Sequence, residues 1–151
     1  MRKDEFVIRG QTPSTDGSNT EVLNFSGFKP GYAYKMTEFK IYPSTNIGGT
    51  GWEMVGSVTA GKTAVDPTNP DFNDDGLIAT SMYVGQNNVY TGKINSIVND
   101  TFLITQNLIL KVKDASSGNN PINWQCKFQP VKMSKAEEAV TNYKQFLISD
   151  D

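Results

Sequence analysis

The sequence has 151 residues, with 14 Lys and Arg against 16 Asp and Glu and a net charge of -2. Near-neutrality gives no electrostatic reason to expect a nucleic acid or an acidic membrane as partner. A single cysteine excludes an internal disulfide. The absence of histidine excludes imidazole-based triads and dyads, and with them His-ligated zinc.

The length suits one domain, residues 1–151, which would bury roughly 70% of its unfolded surface. No run of about 20 apolar residues is present to span a membrane. Met1-Arg-Lys-Asp-Glu-Phe6 has charges but no apolar region after them, so it does not read as a signal peptide. The expectation is a soluble protein made in a cytoplasm.

The predicted elements are mostly strands, because apolar residues recur with period two and so fall on one face of an extended chain. Glu5–Arg9 places Phe6 and Ile8 together, and Gly10–Thr20 is a polar loop. Glu21–Phe25 follows, with Leu23 and Phe25 in phase, and then the turn Gly27–Gly31. In Tyr32–Tyr42 the phase slips between Met36 and Phe39. One extra residue near Thr37-Glu38 would restore the face, which is what a β-bulge does. Pro43–Gly51 is a loop, and Trp52–Ala60 alternates again through Trp52, Met54 and Val58. Gly61–Gly76 is the longest irregular stretch. Leu77–Val84 and a weaker Tyr90–Val98 are further strands.

Thr101–Lys113 and Ile122–Phe128 read as the two arms of a central hairpin, joined by the turn formers Asp114–Pro121. Leu108, Leu110 and Val112 lie in phase in the first arm, and Ile122, Trp124, Cys126 and Phe128 in the second. Pro130 cannot donate to a ladder, so this end reads as an edge or a bend. Ser134-Lys-Ala-Glu137 is a capping-box pattern, and Ala136, Val140, Tyr143 and Leu147 form a helical stripe. The C-terminus therefore reads as a short helix near Lys135–Tyr143 and then an extended end, or as a strand over Tyr143–Ile148. Roughly eight strands with frequent turn signals imply an all-β antiparallel β-sandwich. Long strands with long connections favour a jelly roll.

Two motifs match functional formulas. Gly56-Ser-Val-Thr-Ala-Gly61-Lys62-Thr63 satisfies the phosphate-binding loop, in which backbone amides cradle phosphates and the lysine reaches their oxygens. That geometry needs a helix immediately afterwards, and Pro67 and Pro70 oppose one. The expectation is a strand running out into a loop. Asp71-Phe-Asn73-Asp-Asp75-Gly76-Leu-Ile78 reproduces the first eight positions of a calcium loop, so Asp71, Asn73 and Asp75 are the candidate metal ligands. The closing bidentate glutamate is replaced by Met82, and flanking helices are missing. The competing reading is a turn-rich loop whose Asp and Asn side chains bond their own backbone. No cofactor is expected, with calcium as the alternative. Cys126 and the aromatics Tyr32, Tyr34, Trp52, Trp124 and Phe128 fall in core phase, and no catalytic residue is singled out.

Several phrases carry a family signal: Glu21-Val-Leu-Asn-Phe-Ser-Gly27, Ile41-Tyr-Pro-Ser44, Asn99-Asp-Thr-Phe-Leu-Ile-Thr-Gln106, Asn123-Trp-Gln125 and Asn142-Tyr-Lys-Gln-Phe146. They resemble small proteins of marine tailed bacteriophages, including cyanophages, over about Phe6 to Ile148. The resemblance implies a non-enzymatic virion structural protein made in the host cytoplasm. Its implied role is a capsid decoration or cement protein on the capsid exterior. The implied partners are the major capsid protein or other virion proteins and further copies of itself, with no nucleic acid and no membrane. A tail or receptor-binding component that binds carbohydrate is the alternative, and it would need exposed aromatics such as Trp52 or Tyr90. No functional residue carries over from the resemblance. The charged or extended termini, Met1–Asp4 and Lys144–Asp151, are read as arms that reach a neighbour.

Overall fold

The computed structural model describes residues 5–25, 31–45, 51–61, 63–86, 89–116, 118–137 and 140–141, with the backbone alone for 86 and 89–94. Lys62, Met1–Asp4 and Lys144–Asp151 lie outside the described residues.

Eight strands form two antiparallel sheets: β1 (Phe6–Thr12), β2 (Thr20–Leu23), β3 (Tyr32–Pro43), β4 (Trp52–Ala60), β5 (Leu77–Gln86), β6 (Val89–Val98), β7 (Leu108–Asp114) and β8 (Ile122–Lys132). One sheet has the order β1-β8-β3 and the other β2-β7-β4-β5-β6. The all-β sandwich expected from the alternation is the observed architecture. Its core is one continuous cluster in which Met36, Phe39 and Ile41 of β3 and Cys126 and Phe128 of β8 meet Met54, Val58, Leu108, Leu110 and Val112 of the other sheet.

The phase slip in β3 is a bulge. Met36 pairs with Phe128 and Glu38 with Lys127, so Thr37 has no partner opposite it. The extra residue keeps Met36, Phe39 and Ile41 all at zero exposure. Without it, every apolar side chain beyond Thr37 would turn to solvent. Pro130 sits inside β8 rather than ending it. Its only described neighbour there is Tyr34 of β3, because the β1 ladder begins at Phe6 opposite Phe128. The missing N–H therefore falls where β8 is bounded on one side.

The expected central hairpin is not formed. β7 and β8 do not pair with each other but belong to different sheets, and the segment 115–121 crosses from one to the other. Alternation puts Leu108, Leu110 and Val112 on one face, and Ile122, Trp124, Cys126 and Phe128 on another. Two such faces satisfy each other equally well across a sandwich as side by side. The stretch 101–107 is also not a strand. Its one bridge is Ile104 to Tyr34, where each backbone N–H donates to the other's carbonyl at 2.9 and 2.6 Å.

Asp114 holds the crossover. Its carboxylate is almost fully buried at the end of β7. Oδ1 accepts from the Ser116 N–H at 3.0 Å and from the Ser116 hydroxyl, and Oδ2 accepts from the Asn120 N–H at 3.1 Å. At the same end, the Trp124 indole donates to Thr12 Oγ1 at 2.8 Å, and Thr12 donates to Glu21 at 3.2 Å, which links the two sheets. At the opposite end Phe25 packs on Phe128 and Tyr34 with ring centroids 4.9 and 5.3 Å apart. Burial pushes the Tyr34 phenol above its ordinary pKa. Burial likewise pushes the Cys126 thiol up, so this cysteine is a core residue.

A helix follows β8, with residues 135–137, 140 and 141 helical. Half of the capping box forms: the Glu137 N–H donates to Ser134 Oγ at 3.2 Å, while the Glu137 carboxylate accepts from the Ser134 hydroxyl at 3.1 Å. Tyr143 and the expected extended end lie outside the described residues.

Replacing Asp114 with alanine removes the acceptor of two part-buried backbone donors, the Ser116 and Asn120 N–H groups. Asp114→Ala is expected to lower the unfolding free energy by about 2–3 kcal/mol, measured by urea denaturation. Asp114→Asn, which keeps an acceptor, is expected to lose less than half of that.

Candidate functional site

The residues of the phosphate-loop formula are built into the sheet. Gly56 to Ala60 are the second half of β4, paired with β5 on one side and β7 on the other. Their amides are committed to ladders and do not curl around a ligand. Gly56 is there for packing. A Cβ at that position would lie 3.2 Å from Phe39 Cζ and 3.2 Å from Ile41 Cγ2, across the sandwich. Gly61 turns the chain out of the strand with φ of 133°.

Two further residues of the formula clamp the long loop to the sheet. Ser57 Oγ donates to the Val65 carbonyl at 2.7 Å, and the Val65 N–H donates to Thr59 Oγ1 at 3.0 Å. Both hydroxyls are buried on the outer face of β4, and Val65 is buried over them. Farther along, Asp66 accepts from the Thr68 N–H and hydroxyl at 2.9 and 2.8 Å, which holds its carboxyl below the usual range. Asp66 and Thr68 line a polar recess with Asp16, Asn19, Lys111 and Lys113. Its charges are internally matched, with Lys113 paired to Asp16 at 2.9 Å.

The calcium-loop residues use their side chains on their own backbone. Asp71 Oδ1 accepts the Asn73 N–H at 2.9 Å, and Asp74 Oδ1 accepts the Gly76 N–H at 2.9 Å. The Asp74 N–H donates to the Asp71 carbonyl at 3.1 Å, and the Leu77 N–H to the Asp74 carbonyl at 3.1 Å. These are two successive turns capped by aspartates. Among the described residues, no three His, Cys, Asp or Glu side chains converge as a metal-holding group, so Asp71 and Asp75 are not brought together with a third acidic ligand.

The feature that sequence reasoning missed is the outer face of the five-stranded sheet. Thr80, Met82 and Val84 alternate outward from β5, opposite the buried Ala79, Ser81 and Tyr83. Met82 lies opposite Val55 of β4, and Thr80 opposite Ile97 of β6. Met82 is 44% exposed, Val84 38% and Ile97 55%. Beside them Phe72 stands 61% exposed at the tip of the Asp71–Asp74 turn. The signal was present in the sequence, since β5 is apolar in both phases: Ala79 and Tyr83 in one, Ile78, Met82 and Val84 in the other. A strand with two apolar phases has a second face to cover.

The chain matches no family model, no curated protein and no solved structure. The geometry is therefore read from its own residues. Trp52 is 7% exposed and packs on Tyr83, itself in ring contact with Tyr42 at 5.5 Å. It belongs to the core and not to an exposed platform, and the Tyr90 side chain lies outside the described residues. Among the described residues no helix is long and apolar enough to cross a membrane.

Two outcomes follow from these placements. Gly56→Ala is expected to lower stability by about 1–3 kcal/mol through overpacking against Phe39 and Ile41, read by urea denaturation. Millimolar calcium is expected to leave the melting temperature of the intact chain unchanged, since a cation bound to the native state alone would raise it. A rise that disappears in Asp75→Ala would instead place calcium in this loop.

Proposed function

We propose that this chain is a non-enzymatic virion structural protein of a tailed phage, a decoration or cement protein that binds the capsid exterior through one face of its sandwich. The observation that carries the proposal is the exposed apolar row of Met82, Val84 and Ile97 on the outer face of the five-stranded sheet, with Phe72 beside it. The backbone of paired strands is ordered before any partner arrives, so docking orders only the side chains. In a shell the same modest contact recurs at every copy, and repetition converts weak single contacts into high avidity. The phrase-level resemblance to marine phage proteins points the same way.

The strand pairing supports the jelly-roll form of the sandwich. A jelly roll is a long antiparallel hairpin rolled up, so its first strand pairs with its last, the second with the seventh, the third with the sixth and the fourth with the fifth. Here β1 pairs with β8, β2 with β7 and β4 with β5. β6 takes β5 as its ladder partner and lies close to β3 without forming the fourth pair. The alternative, a tail component binding carbohydrate through exposed aromatics, loses one of its two expected platform residues, because Trp52 is buried.

The test is co-sedimentation of the intact chain with phage capsids lacking it. The wild type is expected to pellet with the particles. Met82→Asp combined with Val84→Asp is expected to lower the bound fraction by about tenfold, since truncated or charged central contacts dominate interface losses, with little change in urea midpoint. Failure of the wild-type chain to bind capsids while it binds isolated tails would move the assignment to the tail.

A further inference from the structure

The apolar row ends in a pocket, and the charges around that pocket define what it can take. A cavity of about 160 Å³ opens between the turn at Asp71–Asp74 and the adjacent ends of β5 and β6. Its walls are mostly apolar, from Phe72, Leu77, Ile78, Ala79 and Ile97, with the polar Thr80 and Asn99. The walls are held by backbone bonds: the Asn99 N–H donates to the Ile78 carbonyl at 2.8 Å, and the Ala60 N–H to the Gly76 carbonyl at 2.8 Å. The Asx turn of Asp71 fixes the backbone at Phe72, whose exposed ring forms one wall of the pocket.

Four exposed carboxylates flank this pocket in sequence: Asp71, Asp74 and Asp75 on the turn, and Asp100 directly after Asn99. None of the pocket-lining residues is cationic. The whole chain carries only -2, so these four aspartates leave the remainder with a formal +2 and concentrate negative charge at one end of the sandwich. An apolar cavity within an acidic rim favours an aliphatic side chain carried between cationic residues. The cavity supplies the anchor's burial, and the rim supplies steering and selection by sign.

We infer that this pocket is the docking point for a basic segment of a partner protein that inserts one aliphatic side chain of leucine or methionine size between Phe72 and Ile97. The inference rests on the docking role proposed above and names the chemistry of what docks. It uses the apolar wall and the free carboxylates together. Asp75 makes the clearest contribution, because Asp71 and Asp74 each commit one oxygen to a backbone N–H while Asp75 caps neither turn.

The experiment is a nuclear magnetic resonance titration of the intact chain with three synthetic peptides. One has a single leucine flanked by lysines, the second replaces the leucine with serine, and the third replaces the lysines with glutamates. The lysine–leucine peptide is expected to shift Phe72, Leu77, Ile97 and Asn99, and to bind about tenfold tighter than the serine peptide. Its affinity should fall as salt rises from about 0.05 to 0.3 M. Ile97→Ser should abolish the preference for leucine over serine, whereas Asp75→Asn should weaken both lysine peptides and leave that preference intact. Equal affinity for the leucine and serine peptides, shifts centred elsewhere, or tighter binding of the glutamate peptide would overturn the inference. Peptide binding at the pocket by a chain that binds neither capsids nor tails would leave the inference standing and remove the virion role. Capsid binding that survives Ile97→Ser and Phe72→Ala undiminished would do the reverse.

Discussion

The crossing between β7 and β8 is the constraint on which the sandwich depends. Seven residues carry the chain from one sheet to the other, and the buried Asp114 carboxylate gathers the part-buried Ser116 and Asn120 donors there. Because the crossing is held, β8 becomes the centre of the three-stranded sheet and β7 the partner of both β2 and β4 in the other. Each then turns its apolar phase toward the same core. A hairpin in place of the crossing would have put both faces in one layer, to be covered by other strands.

The long loop between β4 and β5 shows how local chemistry can resemble one function while serving another. Ser57 and Thr59 hold Val65 down on the sheet, Gly56 makes room for Phe39 and Ile41, and the aspartates beyond cap two turns. Ser57, Thr59, Asp71 and Asp74, which suggested a phosphate or a calcium ion, each shape this loop. The consequence for function is indirect. The loop covers the outer face over Ser57 and Thr59 and stops at Phe72, so Met82, Val84 and Ile97 are left in the open beside a rigid edge. The exposed apolar surface lies on paired strands and a capped turn, where little conformational entropy remains to be lost on docking.

Much of the fold was legible in the sequence. The alternation of Trp52–Ala60 marks β4 to the residue, and the Met36-to-Phe39 slip marks the bulge at Thr37, because a period-two pattern cannot change phase inside a continuous ladder without one. The N-cap at Ser134 is equally local, and its hydroxyl accepts the Glu137 N–H. The stretch 101–107 was read as strand because Phe102 and Ile104 alternate. It forms no named strand, and its contact with the sheets is the isolated bridge between Ile104 and Tyr34.

What the sequence determined by itself is the set of faces: which side chains of each strand point inward, and that a sandwich must result. Those properties follow from the geometry of one extended chain and its turns. Only the tertiary structure decided which faces meet. Pairing β7 with β8 side by side or opposing them across the core satisfies the same alternation, and the choice rests on the hydrogen bonds of Asp114, Thr12 and Trp124. The same is true of the exposed row on β5. Apolar residues in both phases announce two faces to be covered, but that the loop after β4 covers Ser57 and Thr59 and leaves Met82 bare is a matter of long-range packing.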